Sequence, residues 1–339
     1  MACFRVLVAA AALALSGAAC APDLGAPISV IGGPRILAVR GTPAEAKEGA
    51  PVTYDLLAVD VNGTIAAPAA TWAVCIAPRP PSENSAVATA CFGIADSGGP
   101  SPTFQAPVTA ADPNDPTTIG ACSIFGPLRP PLDPNARPRD PDITGGFFEP
   151  VRATLPNPEG GAALLGFDLE RIQCRLANAP IDIANEFNNP YDPVMNPNGY
   201  TPNGNPSLAQ LTWSVGGAAP SVLSPIIAGM PAPAAAAIAP GQHVALEASW
   251  GDDSVETFPV YSIQTASLSP QREAMRVSWF ATAGEFEHDV SGRAADDLAL
   301  TADNDWAAPA TAGPVHLWLV LRDSRGGVDF AEYELDVSP

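Results

Sequence analysis

The chain holds a single lysine, Lys47, and charged side chains of all kinds make up only 15% of it. With 39 prolines and 29 glycines besides, that scarcity argues against long solvated helices. Positive charge is in short supply: 16 basic against 36 acidic residues leave a net charge of -20, so a nucleic acid or an anionic membrane surface would repel the protein. No C-x-x-C pair is present, which removes the usual framework of a four-cysteine zinc site. The three histidines, His243, His288 and His316, are too far apart for an H-E-x-x-H motif and read as exposed surface residues. Aromatic residues are 7% of the chain. The apolar run from Val6 to Leu15 is too short to span a bilayer.

That run is informative in another way. Arg5 precedes it, and Gly17, Ala18 and Ala19 follow it just before Cys20, the layout of an export signal. The segment resembles a bacterial lipobox, which implies lipidation of Cys20 and removal of residues 1–19. Gly17 stands where leucine is usual, and an ordinary cleaved secretory signal is the other reading of the same residues. Ala21 is not the aspartate that retains lipoproteins at the inner membrane, so the resemblance implies an outer-membrane address, periplasmic or surface-exposed, with the lipid as the membrane contact.

Export also fits the remaining cysteines. Cys75, Cys91, Cys122 and Cys174 are an even set suited to an oxidising compartment. Three pairings exist. Cys75 with Cys91 and Cys122 with Cys174 is favoured because each closes a local loop, worth on the order of 3 kcal/mol.

Strand signals recur along the mature chain. Arg35–Arg40 and Pro51–Asp60 read as strands, the latter with Val52, Tyr54 and Leu56 on one face, and Asn62-Gly63 supplies a type I′ hairpin signal. Val315–Arg322 alternates Val315, Leu317, Leu319 and Leu321; Asp323–Gly327 turns the chain, and Val328–Val337 returns as the second strand of a terminal hairpin. Gly49 precedes Val52 as Gly241 precedes Val244, and each strand is followed by a tryptophan-bearing one, at Trp72 and Trp279, an internal repeat suggesting two copies of one sandwich module. Pro-rich stretches at 126–142 and 189–206 read as loops, residues 181–188 as one short helix, and 230–240 as a loop.

The expected architecture is all-β: two immunoglobulin-like β-sandwich domains in tandem with Pro-rich loops, over 34–180 and 207–339. A tether over 20–33 precedes them, and an Asn/Pro-rich connector over 181–206 joins them. The segments RILAVRGTP at 35–43, ATWAVC at 70–75, GGFFEPVR at 145–152, RIQC at 171–174, GNPSLAQL at 204–211, VSWFATAGEF at 277–286 and WAAPATAGPVHLWLVLRDSRGGVDF at 306–330 resemble a family of lipoproteins of high-GC Gram-negative bacteria that carry immunoglobulin-like or PKD-like sandwiches. Trp250-Gly251-Asp252-Asp253 echoes the PKD signature without matching it. The resemblance implies a fold and brings no activity with it.

Two motifs invite a chemical reading. Ala95-Asp96-Ser97-Gly98-Gly99-Pro100 looks like the nucleophile segment of chymotrypsin-type proteases, but no histidine precedes Ser97 in the mature chain to act as its base, so it reads as a loop tip. Clustered aspartates offer hard-cation ligands, with Asp303 and Asp305 the calcium candidates; Asp140 to Thr144 starts like an EF-hand loop but has Val151 at its twelfth position. No acid/base pair has a recognisable spacing and no cofactor is implied. The expectation is a non-enzymatic envelope lipoprotein with a binding, adhesion or scaffold role toward an envelope protein. The alternative is a glycan-binding accessory module of a secreted hydrolase or polysaccharide-processing system, with Tyr191, Tyr200 and Trp306 as candidate platform aromatics.

Overall fold

The computed structural model describes residues 27–79, 83, 86–115, 117–126, 143–176, 179–189, 195–196 and 199–339. The signal segment, Cys20, Asp140 and Tyr191 lie outside the described residues, as does most of the first Pro-rich stretch.

The chain is nearly all β. In the N-terminal half, one sheet is built from β1 (Arg35–Thr42), β3 (Pro51–Asp60), β4 (Gly63–Thr64) and β6 (Phe104–Pro107). The other contains β2 (Glu45–Ala46), β5 (Thr71–Val74), β7 (Gly146–Leu155) and β8 (Leu164–Gln173), in the order β2-β8-β7-β5. Because side chains alternate along a strand, β3 turns Val52, Tyr54, Leu56 and Ala58 inward, where they meet Val151, Ala153 and Leu155 of β7 together with Trp72 and Ile172.

The C-terminal half repeats this layering. One sheet contains β9 (Leu208–Ser214), β10 (Ser221–Leu223), β12 (His243–Trp250), β16 (Glu285–Phe286) and β18 (Thr301–Ala307), ordered β10-β9-β12-β18-β16. Facing it are β11 (Ala236–Ile238), β15 (Met275–Ala281), β17 (Val290–Arg293), β19 (Gly313–Asp323) and β20 (Val328–Val337), ordered β11-β20-β19-β15-β17. A separate hairpin, β13 (Thr257–Ser262) with β14 (Ser267–Arg272), stands beside them. In both halves the strand with the repeated glycine approach, β3 or β12, lies in one sheet and its tryptophan strand, β5 or β15, in the other. The 230–240 stretch contributes β11, which pairs in parallel with β20, so it is not loop throughout.

Two local details depart from expectation. Asp60 pairs with Gly63, so the hairpin loop is Val61-Asn62 and the turn lies one residue earlier than an Asn-Gly type I′ turn. The Asp60 carboxylate accepts the Asn62 N–H at 2.7 Å, while Gly63 takes a φ of +118°, the conformation that glycine supplies at least cost. Residues 29–31, expected within the tether, are fixed: Ile31 is fully buried, and its N–H donates to the Ala281 carbonyl at 2.8 Å.

The larger departure is at the junction of the halves. Along β19, Val315, Leu317, Leu319 and Leu321 enter the C-terminal core. The opposite face is covered too, because Trp318 and Val320 pack with Val328 against Ile31, Ala38, Leu57 and Val59. The Trp318 indole N–H donates to Thr64 Oγ1 at 2.9 Å. The two sandwiches therefore share an apolar seam instead of meeting through a connector alone.

Both disulfides form as expected, Cys75–Cys91 with Cα atoms 5.5 Å apart and Cys122–Cys174 with Cα atoms 5.6 Å apart. The first holds Cys91 beside Val87 and Ala88, which pack near Phe167 and Leu169 on the outer face of β8.

Candidate functional site

An open cleft of about 740 Å³ lies at the end of β8. Its walls are the Lys47-Glu48 turn after β2, the short helix α1 (Ala121–Ile124), residues 173–176, and α2 (Ile181–Asn188), the expected short helix. The Cys122–Cys174 bridge fastens α1 to the strand end, and Glu48 accepts the Cys122 backbone N–H at 2.5 Å, satisfying a free donor of the first helical turn. Helix α2 buries Phe187 against Tyr200, with ring centroids 4.9 Å apart, which leaves Asn185 and Asn188 along the cleft. Lys47 and Arg175 are both exposed at its rim.

A second polar feature is sealed inside the N-terminal sandwich. Glu149 on β7 and Asp168 and Glu170 on β8 occupy core-facing positions and are 1 to 5% exposed. Both Glu170 oxygens and Glu149 Oε1 lack a hydrogen-bond partner among the described residues. Glu170 Oε2 and Asp168 Oδ2 lie within 2.9 Å of the point a Cβ on Gly41 would occupy, so β1 needs glycine there. Burial foremost, then neighbouring carboxylates, raises Glu170 to about 9. Asp168 is raised to about 7, again chiefly by burial, with the nearby Arg322 opposing. Glu149 is also raised by burial.

These shifts have a defined sign. The folded state keeps protons that the unfolded chain releases near pH 4, so stability falls as pH rises, through about 7 for Asp168 and about 9 for Glu170. The thermal midpoint by circular dichroism is expected to fall between pH 5 and pH 9, and Glu170→Gln to flatten that slope. A midpoint that rises over this range would contradict the assignment.

The third feature joins the halves. Arg325, in the turn between β19 and β20, is 2% exposed. Its Nε donates to Glu273 at 2.6 Å, one terminal nitrogen to the Thr201 carbonyl at 2.8 Å, and the other to Glu256, while its plane lies 4.7 Å over Phe258. Glu45 of β2 accepts from Arg171, from the Tyr200 hydroxyl and from the Asn203 N–H, and Arg325 stands 3.9 Å from it. The connector is thereby tied to both sandwiches.

The residues singled out from sequence lie elsewhere. Asp303 and Asp305 are strand residues of β18, not loop ligands: Asp303 bonds Arg293 at 3.1 Å and Asp305 meets His243 at 2.6 Å. Among the described residues no cluster of three or more His, Cys, Asp or Glu side chains is placed to hold a metal. Asp96 is committed to Arg152 at 2.6 Å, and the Ser97 N–H donates to the Trp72 carbonyl at 2.6 Å. His316 is not an exposed residue: it lies 3.0 Å from Glu332 and stacks on Trp318, with its pKa raised chiefly by Glu332. His243 and His288 are exposed as expected. Tyr200 is 6% exposed and Trp306 fully buried, so neither offers a stacking platform.

Sequence reasoning missed the cleft, the carboxyl trio and Arg325. The one signal in reach was Glu149, Asp168 and Glu170 at the parity of apolar neighbours such as Val151 and Ile172; polar residues in step with a core face mark burial.

Comparison with known proteins adds no family. No protein-family profile matches the chain, and no curated protein matches it. Among solved structures it is similar to the crystal structure of dimeric latent PorU from Porphyromonas gingivalis, at 10% identity and a TM-score of 0.20. That alignment covers 90% of this chain and 24% of the other, and likeness at this level carries no argument.

Proposed function

We propose that the protein is a non-enzymatic lipoprotein of the bacterial cell envelope, anchored at Cys20 and serving as a rigid binding or scaffold body. The observation that carries this reading is the docking of Ser29 and Ile31 against Ala281 beside the seam. The residues from Cys20 to Ala26 then reach roughly 25 Å at full extension, so a lipid at Cys20 holds the body near the bilayer. The two disulfides suit an exported protein, and an outer-membrane address follows from Ala21 in the lipobox resemblance.

Mass spectrometry of the mature N-terminus is the test. A diacylglyceryl-modified Cys20 is expected; an unmodified Cys20, or cleavage at another position, overturns the anchor.

A second reading, a glycan-binding accessory module, is favoured by the open cleft at Lys47. With Tyr200 and Trp306 buried, recognition there would run through charge and side-chain amides.

A further inference from the structure

We infer that the cleft between the Lys47 turn, the end of β8 and α2 binds an acidic oligosaccharide, with Lys47 and Arg175 receiving its carboxylates. The inference rests on the glycan-binding reading and supplies its ligand class. The chain's one lysine and an arginine line a single concavity, beyond the ends of the paired strands β2 and β8. Neither has an ion-pair partner among the described residues, whereas Arg40, Arg152, Arg171, Arg293 and Arg325 are all paired. On a chain of net charge -20, carboxylates abound to neutralise a cation, so two left free in one cleft are available to a ligand anion.

The rest of the lining narrows the class. Gln173, Asn185 and Asn188 contribute side-chain amides, each both donor and acceptor, which suits vicinal hydroxyls. Among the described residues no aromatic ring lines the cleft, so they give a neutral sugar no stacking surface and the carboxylate supplies the specificity. Glu48, the one acidic residue of the lining among the described residues, already accepts a backbone N–H through Oε1. The volume of about 740 Å³ falls within the range of ligand sites, and its openness to solvent admits a chain longer than the cleft.

The test is isothermal titration of the full-length mature protein, at low ionic strength, with three probes: oligogalacturonate, the same oligomer fully methyl-esterified, and inorganic phosphate. Oligogalacturonate is expected to bind, at least ten-fold more tightly than its ester, with affinity falling as salt is added. The double variant Lys47→Met/Arg175→Met should lose at least ten-fold in affinity while keeping the wild-type thermal midpoint, since both side chains are exposed. Equal binding of the ester, binding unchanged in the double variant, or no heat with oligogalacturonate overturns the inference. Phosphate binding as tightly as the oligomer would replace it with a simple anion site. The outcomes at Cys20 are independent: a lipidated protein with an inert cleft rejects this inference alone, and a binding cleft without lipid rejects only the anchor.

Discussion

Leu319→Asp is expected to unfold the C-terminal sandwich. Leu319 is fully buried in its core and sits mid-sheet, opposite Ala331 on β20 and Trp279 on β15. A carboxylate there has neither water nor a cation, and a buried unpaired charge costs several kcal/mol even after the group shifts its pKa to escape ionisation. Total stability of a domain is about 5–15 kcal/mol, so the loss is of the same order. Circular dichroism should show a lost cooperative transition, and limited proteolysis should cut within residues 207–339. Leu319→Ala, which leaves a cavity without a charge, should cost about 2–5 kcal/mol and stay folded. Because the other face of β19 covers Leu57 and Val59, proteolysis should also reach the N-terminal half. A folded, resistant Leu319→Asp protein would show that the register of the terminal hairpin is wrong.

Arg325→Ala should be the most damaging change at a charged position. It leaves Glu273 buried and Glu256 partly buried without their shared cation, and breaking a buried ion pair from one side costs about 3–5 kcal/mol. Lysine should restore only part of this, since three donors on a point charge do not reproduce a planar fork that also stacks on Phe258. The readout is the urea midpoint at constant slope. A double-mutant cycle with Glu273→Gln should give a coupling energy clearly different from zero. An Arg325→Ala protein as stable as the wild type would mean that the turn does not hold the halves together.

Much of the local structure is legible in the sequence because it follows from short-range rules. The alternation of Val315, Leu317, Leu319 and Leu321 marks a half-buried strand, and the structure places all four in one core. Local loop closure favours Cys75 with Cys91 and Cys122 with Cys174, and both bridges form. Helix α2 starts and stops where its flanking prolines allow. The errors arise where one residue answers to two partners. His316 and Trp318 lie on the face of β19 turned away from its core, which periodicity assigns to solvent, yet the N-terminal sheet covers them. Asp303 and Asp305 resemble loop ligands until β18 pairs with its neighbours, Asp303 meets Arg293 and Asp305 meets His243.

Composition, strand periodicity and cysteine spacing are properties of neighbours along the chain, and by themselves they determine an all-β protein with two local disulfides and a buried terminal hairpin. Tertiary structure alone decided the rest. Glu45, Arg171, Tyr200, Glu273 and Arg325 are distant in sequence and become one polar junction only when the sandwiches dock. Lys47 and Arg175 line one cleft only because β2 pairs with the distant β8, with the Cys122–Cys174 bridge and α2 alongside. The physical reason is the same in both cases: a strand's period specifies which face is apolar, but what covers that face, and which charges meet across it, depends on contacts that no local pattern encodes.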